Sequence, residues 1–276
     1  MRWDIFHRTR YVYATPVRDS FNEVRLEPLS SPGQTLESFL LRILPAVRMS
    51  RYSDFYANWI HHFEVPEPHL YLLIESQVRV KTHPLPPLPE DAEPCSLEKL
   101  GNPRNIEQCH DFLQSSRYVE NEVEPWRLAV DATVGQTDVW QSALALMRFV
   151  HDYLKYEPQA THVHTHMHDV IARRRGVCQD YAHLMIGLCR SLKIPARYVS
   201  GYLATETASA THAWVEVFIP TVGWLGLDPT HNCQIGETYV KIGIGRDYAD
   251  VPPVTGNYRG TLDRQMEVEV KITPVT

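Results

Sequence analysis

Residues 2–13 (RWDIFHRTRYVY) alternate polar and apolar positions, the period of a strand with one buried face. Residues 36–44 (LESFLLRIL) and 70–80 (LYLLIESQVRV) are rich in side chains that suit a pleated surface. Turn signals separate these runs: Ser31-Pro32-Gly33, Pro45, Asp54 and Pro66-Glu67-Pro68. Short strands punctuated in this way predict a small antiparallel β-sandwich. Residues 83–94 (HPLPPLPEDAEP) carry five prolines and three acids and read as an extended connector.

Beyond the connector the period becomes helical. In residues 138–154, Val139, Leu144, Leu146, Met147, Val150 and Leu154 fall near one face, with Thr137 or Asp138 as the N-cap. A second helix is marked by Val177, Tyr181, Leu184, Met185, Leu188 and Leu192, bounded by Gly176 and Ile194-Pro195. Strand-like segments follow at 196–204 (ARYVSGYLA), 212–219 (HAWVEVFI) and 224–228 (WLGLD). A helix followed by a run of antiparallel strands is an α+β arrangement. The tail, 236–276, is mixed and ends in an alternating stretch from Met266 to Ile272.

Composition narrows the class. The 276 residues carry 27 Lys+Arg against 33 Asp+Glu, a net charge of -6, which supplies no electrostatic footprint for nucleic acid or an anionic membrane. No apolar run approaches the roughly 18 residues of a membrane span, and the N-terminus has no apolar signal region. Five cysteines without a CxxC pair fit reduced thiols, hence a cytoplasmic enzyme.

Cys178 is the first candidate for chemistry. It opens the second helix, after Arg173-Arg174-Arg175 and Gly176. The free N–H groups and partial positive charge of a helix start favour an anionic sulfur. The same placement also suits a small buried hydrophobe. His212 begins a strand on which it shares a face with Trp214 and Glu216, and Asp228 ends the next short strand before Pro229. Each has an ordinary reading, as a strand-end histidine and a turn-forming aspartate. Together they supply a nucleophile on a helix and an imidazole and carboxylate on neighbouring strands.

Four stretches in order resemble the bacterial transglutaminase-like family. They are Arg175-Gly176-Val177-Cys178-Gln179-Asp180-Tyr181-Ala182-His183, residues 193–202 (KIPARYVSGY), residues 211–217 (THAWVEV) and residues 223–230 (GWLGLDPT). The β-rich first third is similar to the family's N-terminal region, and Gly245-Arg246-Asp247-Tyr248-Ala249-Asp250-Val251-Pro252-Pro253 to its C-terminal continuation. The resemblance implies an N-terminal antiparallel β-sandwich followed by a papain-like core, with the Cys-bearing helix packed on an antiparallel sheet. It divides the chain into a β-rich domain (1–82), a connector and start of the helical region (83–118), a catalytic core (119–235) and a C-terminal extension packing on the other two (236–276).

By position, the resemblance makes Cys178 the nucleophile, His212 the general base and acid, and Asp228 the group that orients the imidazole. The implied reaction is acyl transfer from a glutamine side chain or peptide bond of a protein or peptide substrate, through a thioester resolved by water or an amine. The Cys178 backbone N–H is the first candidate oxyanion donor, and Tyr156 or Gln179 the second. No cofactor or metal is expected, and no EF-hand-type loop for calcium is present in the sequence. The competing reading is a catalytically silent protein-interaction module that uses the β-rich domain.

A triad sets a geometric condition. A symmetric four-residue loop at 220–223 would send His212 and Asp228 to opposite sheet faces, so an odd loop or a bulge is required. Other features have plainer expectations. His162, His164, His166 and His168 alternate, and on a strand they would form a solvated face with neighbours about 6.6 Å apart, too sparse to guarantee metal binding. Arg173–Arg175 read as a solvated turn that adds positive potential beside Cys178. Cys189, about 16 Å along the helix from Cys178 by helical rise, reads as core. Trp214 and Trp224 suit packing better than a cleft wall. Residues 205–211 (TETASAT) read as a mobile boundary of the cleft.

Overall fold

The strand β1 (Arg2–Val24) organises the N-terminal part of the computed structural model, which describes residues 1–84, 95–100, 107–204, 209–220 and 222–275. Along its first half every second side chain is buried: Trp3, Ile5, His7, Thr9, Tyr11 and Tyr13. This half pairs antiparallel with β5 (His69–Thr82), which in turn pairs with β2 (Gln34–Leu44). The second half of β1 pairs with β4 (Trp59–Val65), whose outer neighbour is β3 (Met49–Ser53). The register with β5 shifts between Val12 and Val17, and Asp19 has φ 50. Irregularities of this kind bend a strand. The sheet therefore curls about β1, and Leu41, Ile43, Leu72 and Ile74 from one half share a core with Val24, Phe63 and Val65 from the other. It is a sandwich whose two layers share one strand. Most of the proline-rich segment, 85–94, lies outside the described residues.

The second unit wraps three longer helices and a sheet around one central helix. After a single turn, α1 (Leu97–Leu100), come α2 (Val123–Ala132) and α3 (Val139–Tyr153). Asp138 caps α3 by accepting the Gln141 N–H at 3.0 Å. A two-residue strand, β6 (Lys155–Tyr156), lies parallel to β7 (Arg175–Gly176), with α4 (Met167–Arg173) between them in sequence. Then comes α5 (Cys178–Ser191), in which every residue from Gln179 to Arg190 is buried. A helix buried all round must pair its polar groups internally. Arg190 does so by donating to the carbonyls of Phe112, Gln114, Ala196 and Arg246. Gly187 leaves room for Met167 of α4, since a Cβ there would collide with the thioether. Among the described residues no helix is long and apolar enough to cross a membrane.

An antiparallel sheet backs α5 in the order β11 (Cys233–Gln234), β10 (Gly223–Asp228), β9 (Ser209–Ile219), β8 (Ala196–Ala204), β12 (Tyr239–Gly245). Residues 205–208, which hold most of the polar stretch ahead of His212, lie outside the described residues. The chain then returns to the N-terminal sheet, where β13 (Val254–Arg259) and β14 (Arg264–Pro274) both pair with β1.

The two sheets meet through an apolar layer in which Trp3, Ile5, Val78 and Val80 lie with Tyr202, Ala204, Val240 and Ile242. The open edge of β12 is covered by two side-chain amides. Gln34 accepts from the N–H of Lys241 (2.8 Å) and donates to its carbonyl (2.7 Å), and Asn58 does both at Ile244 (2.8 Å each). An edge strand so paired offers no template for another chain.

Candidate active site

The start of α5 places Cys178. Asp180, three residues after the N-cap Val177, reaches back to accept the Val177 N–H at 2.7 Å and the Thr161 hydroxyl at 2.6 Å. That closes the first turn and fixes the direction in which Cys178 leaves it. Burial pushes the Asp180 carboxyl up, partly offset by these two donors. Cys178 is half-buried at this position.

His212 and Asp228 reach the same place from the sheet. The strands β9 and β10 pair Ile219 with Gly223 and Val215 with Leu227, so residues 220–222 form a three-residue connection. Continuing that register sets Asp228 opposite Trp214, on the face His212 shares. The odd loop that the sequence demanded is present, and His212 Nε2 lies 2.7 Å from Asp228 Oδ2. Nε2 is thus committed to Asp228, and Cys178 lies close enough to the ring to favour its charged form. Burial favours a neutral ring, but Asp228 and Cys178 outweigh it and raise the His212 pKa to about 9.

Asp228 is fully buried and saturated with donors. Oδ2 accepts from His212, from His231 Nδ1 at 2.7 Å and from the Tyr239 hydroxyl at 2.8 Å. Oδ1 accepts the N–H groups of Thr230 (2.8 Å) and His231 (3.3 Å). Burial opposes the charge, yet the His212, His231 and Tyr239 donors hold the carboxyl well below the usual carboxylate range. An ionised carboxylate only accepts, so both imidazoles present N–H to it.

Tyr156 and Tyr198 lie near enough to Cys178 to feel it electrostatically. Burial first, and then the charge of Cys178, raises the pKa of both phenols and keeps them as donors. The Gln179 amide points elsewhere, donating to the Val163 carbonyl at 3.1 Å. Trp214 is wholly buried with its ring stacked 6.4 Å from His212, while Trp224 packs against Phe112 and Phe218. Arg173, Arg174 and Arg175 are exposed, and Arg175 pairs with Glu157 at 3.3 Å. His231, Tyr239 and Tyr198 were not foreseen. Nothing in their spacing announces them, although His231 stands three residues after Asp228.

Residues 127–229 match the Transglutaminase-like superfamily, and residues 3–81 the bacterial transglutaminase-like N-terminal region. An uncharacterized protein of Mycobacterium leprae is 34% identical over 281 residues, covering 99% of this chain and 98% of its own. The chain belongs to the transglutaminase-like superfamily. Members of this superfamily are cysteine enzymes. A protein-glutamine gamma-glutamyltransferase of Pseudomonas aeruginosa is 34% identical over 137 residues, 43% of this chain and 20% of that protein. A Cytophaga hutchinsonii crystal structure, provisionally described as a cysteine protease, superposes with a TM-score of 0.80. It covers 100% of this chain and 92% of its own at 24% identity, which establishes a shared transglutaminase-like fold.

The thiols of this transglutaminase-like chain should separate on treatment with iodoacetamide near neutral pH. Cys189 is wholly buried, and burial pushes its thiol up to about 12. Cys178 should be alkylated on the order of 100-fold faster than Cys189, and faster than Cys233, as followed by peptide mapping. Equal, slow labelling at Cys178 and Cys189 would remove the case for a reactive sulfur.

Proposed function

We propose that the protein is a cysteine acyl-transfer enzyme that takes the acyl group of a glutamine side chain, or of a peptide bond, onto Cys178. The observation that carries this is the 2.7 Å bond from His212 to a buried Asp228, and Cys178 acts on the same ring by favouring its charged form. The sulfur, its proton passed to His212, attacks the carbonyl carbon and the C=O electron pair moves onto oxygen. The Cys178 backbone N–H and the Tyr156 hydroxyl are the donors we assign to that charge. Collapse of the adduct expels ammonia or an amine, which takes its proton from His212. Water or an amine then adds to the thioester, giving up a proton to the same ring, and the sulfur leaves. Asp228 keeps Nε2 protonated, so Nδ1 is the nitrogen that exchanges the proton.

Similarity to a protein named as a glutamine transferase supports the glutamine side chain as the acyl donor. The test is mass spectrometry of glutamine-containing peptides incubated with the protein, with and without a primary amine. A gain of about one dalton reports hydrolysis of the carboxamide, incorporation of the amine reports transfer, and chain cleavage reports proteolysis. Unchanged peptides under all conditions would favour the silent interaction module.

A further inference from the structure

Two imidazoles and a carboxylate converge outside the site just described. The histidine tract does not run as a strand. The chain turns at 162–165, with the Thr165 N–H donating to the His162 carbonyl at 2.8 Å, and enters α4 with His166 as its N-cap. His166 and His168 then share one turn of chain, their ring centroids 5.6 Å apart. Glu120, from the segment ahead of α2, places Oε1 2.6 Å from His166 Nδ1. One ligand atom from each of Glu120, His166 and His168 lies within 4.8 Å of the others.

The fold leaves much of this donor capacity unused. The second oxygen of Glu120 is buried and, among the described residues, accepts no hydrogen bond, a rare state for a carboxylate. The His166 side chain makes no capping bond to its helix. His168 is 55% exposed and has a 3.7 Å approach to Asp169.

We propose that Glu120, His166 and His168 bind a first-row divalent transition ion of the zinc type, with its remaining position open to water. Imidazole with carboxylate is a donor set for zinc, nickel or copper rather than for calcium or magnesium. Ligands about 2.1 Å from such an ion lie roughly 3.4 Å from one another in a tetrahedron, so small rotations of these side chains close the site. The exposed side of His168 gives the ion its entry.

The position says what the ion does. The His166 ring meets the Tyr118 ring edge-on at 5.4 Å, and Tyr118 stacks on His183 of α5 at 5.6 Å. Between Glu120 and His166 the chain supplies Thr161 and Val163, which hold Asp180 and Gln179 beside Cys178. An ion here fastens that segment to the chain ahead of α2 and stiffens the surroundings of the nucleophile without touching it.

The test is equilibrium dialysis with Zn²⁺ on the full chain. Cys178→Ala and His231→Ala are introduced together, because Cys178 and the group His212, Asp228 and His231 also hold donors. One ion per chain is expected, with Glu120→Gln and His168→Ala each weakening binding by roughly 100-fold. Thermal melts provide a second reading. Zn²⁺ at about 100 times its Kd should raise the Tm by roughly 5 °C, and His168→Ala, an exposed change that the fold tolerates, should abolish the rise. Absence of binding in the doubly substituted protein, or binding that survives both Glu120→Gln and His168→Ala, would overturn the proposal.

Discussion

Replacing Cys178 with alanine is expected to abolish turnover, by roughly 10⁴-fold or more, while the protein folds as before. The two expectations rest on different atoms. In the proposed reaction the chemistry needs the sulfur, because the acyl group is carried on it. The turn needs Asp180, whose carboxylate bonds the Val177 N–H and Thr161 whatever stands at position 178. Far-ultraviolet circular dichroism and melting should therefore be close to those of the wild type. His212→Ala should fail to a similar degree, since the sulfur then has neither a proton acceptor nor a charged partner. Residual activity near the wild-type level in Cys178→Ala would move the chemistry elsewhere.

The second large effect is expected at Asp228, and it should appear in stability as well as in rate. Alanine there strips five donors of their acceptor: two N–H groups, two imidazoles and the Tyr239 hydroxyl. Removing one partner of a buried charged pair costs about 3–5 kcal/mol, and His231, half in solvent, recovers part of this through water. Turnover should fall by about 10³-fold, less than for Cys178, because the reacting groups remain and only their orientation is lost.

The same pair sets the pH dependence, with opposite signs for its two members. Asp228 is held below its ordinary value, so its contribution is complete above the unfolded carboxylate pKa and is lost as pH falls through the folded one. His212 is raised from 6.5 to about 9. Its contribution is complete below 6.5 and drains away as pH rises toward 9. Urea denaturation at stepped pH should show a loss of a few kcal/mol across that alkaline window. The loss should disappear in His212→Ala. An alkaline limb of equal size in that variant would assign the effect to another group.

Local signals carried much of this structure. The alternation of residues 2–13, the helical spacing from Val177 to Leu192 and the Asp138 cap are properties of neighbours in sequence, and each recurs in the fold. The odd loop between β9 and β10 could be stated in advance because strand side chains alternate with period two, so a shared face for His212 and Asp228 restricts the register.

What could not be read depends on distant partners. The bend of β1 lets one strand serve both layers of the curled sheet, and it depends on β4, β5, β13 and β14 all docking on it. The amides of Gln34 and Asn58 pair with β12 some two hundred positions away. Tyr239 reaches Asp228 although β8 and β9 stand between their two strands in the sheet. The histidine tract misled for a related reason. Its alternation suggested a strand, but a turn and the start of α4 took those residues, and their partner Glu120 lies 46 positions from His166.

The most direct measurement is of the covalent intermediate. Protein mixed with a glutamine-containing peptide, without amine, and quenched in acid within the first turnovers should carry the peptide mass less one ammonia. The adduct should map to Cys178, be released by hydroxylamine, and be absent from Cys178→Ala. Conversion of the peptide with no adduct at Cys178, or with the same adduct on another residue of the substituted protein, would contradict the assignment of Cys178 as the nucleophile.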